Sequence, residues 1–203
     1  MTRKRLAAVL LAGMMMMGAG MAEERPARKG RITEALGIQM EKKLAEIERR
    51  AKLAARPKEP MVFSEDELNS YFQFRMSGRI PPGVSEIRFQ LRPEAVTASA
   101  LMDFDKIKAT AKKPVHPLVG MFLKGQSPSS VSAKFTSSNG SGLLHLEEVA
   151  VGGLALRGFL LDLAIRNFVL PRYPTAAIDR PFKLDYSIDR IILTECRAII
   201  YQK

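Results

Sequence analysis

The sequence predicts an α+β protein built on an antiparallel sheet, and three observations predict it. Apolar residues recur every three or four positions over 32–47, apolar and polar residues alternate from Val84 onward, and the 159–170 segment is apolar around most of its circumference. The first is a helical period, the second a strand period, and the third marks a helix with little solvent contact.

The chain opens with Arg3, Lys4 and Arg5, an apolar run over 6–17, and small residues over 18–22 ahead of Glu23 and Glu24. This is the layout of a secretory signal peptide, with cleavage expected after Ala22. The apolar run is shorter than the roughly 18 residues of a membrane span. An uncleaved inner-membrane anchor remains an alternative; otherwise the expected address is the periplasm. The lone Cys196 allows no internal disulfide and does not lie where a lipoprotein would carry its lipid.

Over 23–60 the chain is highly charged, and Ile32, Leu36, Met40, Leu44 and Ile47 give one apolar stripe. A basic amphipathic helix over about 33–55 follows, stopped by Pro57 and Pro60. It can pack on the domain, pair with a partner helix or lie on a membrane. Ser64 and Glu67 form a capping box, so a second helix starts at Glu65, with Leu68, Tyr71, Phe72 and Arg75 on one face expected to be buried.

From Val84 the period is two. Ile87, Phe89 and Leu91 alternate with polar neighbours, Pro93-Glu94 breaks the run, and Val96, Ala98, Ala100 and Met102 follow on one face. A polar, lysine-rich connection is expected over 105–117 and a short apolar run over 118–123. The 126–129 segment reads as a turn, Val131, Ala133 and Phe135 as strand, and Ser138-Asn139-Gly140-Ser141 as a hairpin turn, because Asn and Gly accept positive φ. A return strand over 143–151 ends at Gly152-Gly153. Beyond the 159–170 helix, residues 182–201 read as a last hairpin turning near 194–197. The implied division is 1–22 signal, 23–60 helical extension and 61–203 a single α+β domain.

The formal charge is +11, and about +8 remains without Arg3, Lys4 and Arg5. For an exported protein this points away from nucleic acid and toward an anionic membrane surface or an acidic envelope glycolipid, the alternative being charge that only keeps the protein soluble. Catalytic constellations are lacking. His116 and His145 have no cluster of metal ligands around them, Glu147 and Glu148 are expected on opposite faces of a strand, and the Ser132/Lys134 pair stands without a partner group. No catalytic residue, cofactor or metal is expected, and the protein is read as a non-enzyme.

The run from Phe63 to Phe72 (FSEDELNSYF), then Pro81-Pro82-Gly83-Val84 and paired strands, resembles the opening of small envelope proteins of the tubular lipid-binding (TULIP) superfamily, such as the YceB-like lipoproteins and the LmeA-like phospholipid-binding proteins. The order of strands, hairpin, late apolar helix and closing strands agrees over about 61–201. The resemblance implies a strongly curved antiparallel sheet wrapped around a long helix, with hydrophobic ligand in the groove. The expected role is periplasmic binding or carriage of phospholipid or another acyl lipid. Residues expected to line the groove, chosen by face, are Val96, Ala98, Ala100, Met102, Phe135, Leu146, Phe159, Leu163 and Phe168. The alternative is an envelope scaffold or assembly factor that binds another protein through the 33–55 helix.

Overall fold

The computed structural model describes residues 30–54, 57–109, 124–158, 161 and 178–203. The expected signal segment, the 118–123 run and almost all of the expected 159–170 helix, with Phe159, Leu163 and Phe168, lie outside the described residues.

The described chain is α+β, with antiparallel strands throughout its two sheets. In chain order come α1 (Glu34–Arg50), β1 (Met61–Ser64), α2 (Glu65–Phe74), β2 (Val84–Arg92), β3 (Ala95–Asp103), α3 (Phe104–Ala109), β4 (Gln126–Ser138), β5 (Ser141–Val151), β6 (Leu154–Leu156), β7 (Phe182–Lys183), β8 (Ile188–Thr194) and β9 (Arg197–Gln202). Strands β2 to β6 pair in sequence order, with β7 on β5, to make a six-stranded sheet; β1, β9 and β8 make a smaller one.

Both predicted helix starts form. Thr33 Oγ1 accepts from the Leu36 amide, and Ser64 Oγ from the Glu67 amide, while the Glu67 carboxylate accepts from the Ser64 amide at 2.7 Å. Helix α1 ends at Arg50, a turn short of the expected end. It packs on α2, burying Gly37, Met40 and Ile47. A Cβ on Gly37 would stand 3.0 Å from the Ser70 carbonyl oxygen, so glycine is needed for the two backbones to come this close. Glu67 is 2% exposed, and its second carboxylate oxygen lies 2.6 Å from Lys43 Nζ of α1. On α2, Leu68 and Phe72 are buried as expected, but Arg75 is exposed and reaches across to Glu41.

Two expectations need correction. The 126–129 segment is not a turn: it is the start of β4, and the chain turns earlier, at Gly125 with φ +61. Pro128 fits inside this strand because a residue's N–H and C=O face the same neighbour in an antiparallel ladder. Its carbonyl accepts from Gly152, already in the turn beyond β5, so the missing N–H falls where the ladder stops. Glu147 and Glu148 are not simply on opposite faces either. A register shift at this point of the β4–β5 ladder sets Glu148 opposite Ser132 and leaves Glu147 beside Lys134, 2.9 Å away.

Side chains join the two sheets where backbone pairing runs out. The Asn69 amide, buried on α2, donates to the Phe89 carbonyl (2.9 Å) and accepts from the Phe89 amide (2.7 Å), standing in for a strand at the β2 edge. Next along, the Leu91 amide donates to Glu65 and its carbonyl accepts from the Cys196 amide. At the other seam, Ser137 Oγ of β4 accepts from the Ile191 amide (2.7 Å) and donates to the Ile191 carbonyl (2.9 Å). One hydrophobic core runs through all of this, from Met40 and Ile47 to Val149 and Ile200.

Candidate functional site

The predicted lining residues can be placed from register alone. Ala98 faces Val131 on β4, which faces Val149 on β5; Val96 faces Ala133, which faces Leu146; Ala100 faces Ser129, which faces Val151. Met102 continues the β3 row and Phe135 continues the β4 row opposite Leu144. The six described lining residues therefore share one face of the six-stranded sheet, where the strand period put them. Ala98, Ala100, Met102 and Leu146 are buried, Val96 and Phe135 half-buried. At the centre of this face Ala98, Ala100, Ser129 and Ala133 sit among the larger Val131, Leu146, Val149 and Val151, all of them buried, with Phe89, Leu91 and Met102 around them.

Sequence reasoning missed the residues that close one end. Phe182 of β7 packs on Phe135 with ring centroids 6.5 Å apart, and Leu184 beside it is buried. A Cβ on Gly142 would stand 2.9 Å from the Phe182 ring, so the glycine that follows the hairpin turn is what admits Phe182. Past Phe182 lies an open cleft of about 730 Å³, walled by Asn139, Gly140, Lys183, Tyr186, Ser187 and Lys203. Tyr186 and Ser187 both adopt positive φ there, a conformation non-glycine residues resist.

The opposite face is polar and paired. Thr97 and Ser132 hydroxyls lie 3.1 Å apart, Lys134 is held by Glu147, which raises its pKa, and Arg157 pairs with Glu148. His145 is exposed and meets Asp179 at 2.5 Å. Ser132 and Lys134 therefore each spend their polar group on a neighbour from another strand. Among the described residues no three His, Cys, Asp or Glu side chains gather as a metal site, and no helix is long and apolar enough to cross a membrane. No protein-family model, curated protein or solved structure matches the chain.

Proposed function

We propose that this is an exported, periplasmic protein that binds or carries acyl lipids along the apolar face of the six-stranded sheet, without catalysing a reaction. In this reading the 159–170 segment is the long helix around which the sheet curves, and acyl chains lie between the two. The observation that carries it is the convergence of Val96, Ala98, Ala100, Met102, Phe135 and Leu146 on one face with small side chains among them. Small side chains on an apolar face leave depth for a chain, and each methylene moved there from water contributes about 0.8 kcal/mol. Leu161, the one described side chain of the 159–170 segment, is 6% exposed and belongs to the same core, which is consistent with that helix lying over the sheet.

A scaffold working through the 33–55 helix would have to use its outward side, because Gly37, Met40 and Ile47 already face the domain. The direct test is native mass spectrometry of protein purified from membranes, followed by lipid extraction. Co-purifying phospholipid or fatty acid is expected. A lipid-free protein that also takes up no fluorescent fatty acid would overturn the proposal.

A further inference from the structure

We propose that the outward face of the small β1–β9–β8 sheet docks on an anionic lipid bilayer. This surface is distinct from the groove face, and its docking does not depend on lipid being held there.

The face follows from alternation. Met61 and Phe63 on β1, Ala198 and Ile200 on β9, and Ile191 and Leu193 on β8 belong to the core or pack against it, so the residues between them point outward. Register then sets Val62, Ile199 and Ile192 in one row across all three strands. Val62 and Ile192 are each 40% exposed, although both are β-branched aliphatics with core-like chemistry. On one side of this row Tyr201 carries the Arg190 guanidinium 4.3 Å from its ring centroid. On the other, Arg197 stands exposed between Ser64 and Thr194.

The charge on this face is net positive. The outward residues of the three strands include Arg190 and Arg197 and one acid, Asp189, which the bulge between Ile188 and Arg190 sets on the same side. Asp189 is paired with Arg190 and Lys203, and Glu195 in the β8–β9 turn is paired with Arg92. An aliphatic row with a tyrosine beside it and an arginine at each side matches the layering of a membrane interface: aliphatics enter the acyl boundary, the phenol stays at headgroup depth, and guanidiniums meet phosphates.

The test is co-sedimentation of the full chain with vesicles of phosphatidylcholine alone or mixed equally with phosphatidylglycerol, compared variant by variant. Binding is expected only to the mixed vesicles and is expected to weaken as salt is raised. Arg197→Glu should weaken it at least about fivefold, the worth of one cation at the surface, and Ile192→Glu by about tenfold or more. Lys134→Glu changes net charge as much as Arg197→Glu but lies on the other sheet, so it should stay within about twofold of the parent. Circular dichroism should match the parent for all three, since each site is exposed, and thermal unfolding should match it for Arg197→Glu and Ile192→Glu, with Lys134→Glu melting somewhat lower because its new carboxylate faces Glu147. Absence of vesicle binding overturns the proposal, as does an equal loss in Arg197→Glu and Lys134→Glu, or full binding by both Arg197→Glu and Ile192→Glu. Self-association that Ile192→Glu abolishes while vesicle binding persists would assign the face to a second copy of the chain and overturn it too.

Discussion

Asn69 shows what a single buried amide does in this molecule. It satisfies both backbone groups of Phe89 at the edge of the large sheet, in a place where no strand can reach and no water is needed. Asn69→Ala leaves a buried N–H and a buried C=O without partners, at about 1–3 kcal/mol each, so a loss of about 2–6 kcal/mol is expected in urea unfolding. Asn69→Asp sets a buried carboxylate against the Phe89 carbonyl, so at neutral pH it should cost at least as much as alanine, and stability should recover in acid as the protonated carboxyl can again donate to that carbonyl. A stability within 0.5 kcal/mol of the parent, about the noise of a surface substitution, would mean the amide is not holding this edge. Glu46 gives the residue-scale pH dependence. Hydrogen bonds from Arg49 and Arg50 hold its carboxyl at about 2 instead of 4.5. A carboxyl depressed in the folded state favours folding above its unfolded pKa and stops doing so as pH falls through the folded one. Its contribution to stability should therefore be complete at pH 5 and above, fall progressively below about 4.5, and vanish near pH 2. A carboxyl-carbon NMR titration of Glu46 is expected to have its midpoint near 2, and a midpoint near 4.5 would show that the arginines do not engage it in solution.

Helix α1 is where the element scale decides between readings that the sequence leaves open. Its period reveals an apolar stripe, but a stripe does not say what it packs against; the Gly37–Ser70 approach and the Lys43–Glu67 pair do. A leucine at Gly37 would drive its Cβ into the Ser70 carbonyl and force the helices apart. Gly37→Leu is expected to cost about 1–3 kcal/mol as an overpacked contact, despite leucine's better helix propensity, and to open the 51–60 connection to limited proteolysis. Protection equal to the parent's would mean that α1 is held elsewhere. What was legible was whatever has a local cause: the capping box at Ser64, the hairpin at Asn139-Gly140, the facing of Ile87, Phe89 and Leu91, and the last hairpin around Glu195-Cys196. What was not legible has a distant cause. Strand β1 is four residues that become strand only because β9 offers a partner more than 130 positions away, and Pro128 is tolerable only because Gly152 ends the neighbouring strand. Register shifts at Glu147 and Glu86 likewise escape a strict two-residue count.

At the scale of the whole molecule, the two sheets of the described residues share one core through side-chain seams, and the face of the large sheet between Phe89 and Phe182 belongs to that core. The candidate site was legible there because lining needs only the facing of each strand, and facing is a two-residue property; its closed end at Phe182 was not, because that contact is made across some 40 residues of chain through Gly142. Whether that face is a groove or a filled core has a measurable consequence at Ala100, which is 8% exposed and sits opposite Ser129. If the space above it is packed with side chains, Ala100→Leu adds three heavy atoms to a full volume and costs about 1–3 kcal/mol in the lipid-free protein. If acyl chains occupy that space, the leucine fills what lipid would have filled: the lipid-free protein keeps its stability, and lipid bound per protein falls. The second outcome is expected here, read by thermal unfolding of delipidated protein beside fluorescent fatty-acid titration of the same sample. Ala98→Leu, one row along opposite Val131, should behave the same way. A large stability loss in both variants with uptake unchanged would show that this face belongs to a closed core and that any bound lipid lies elsewhere.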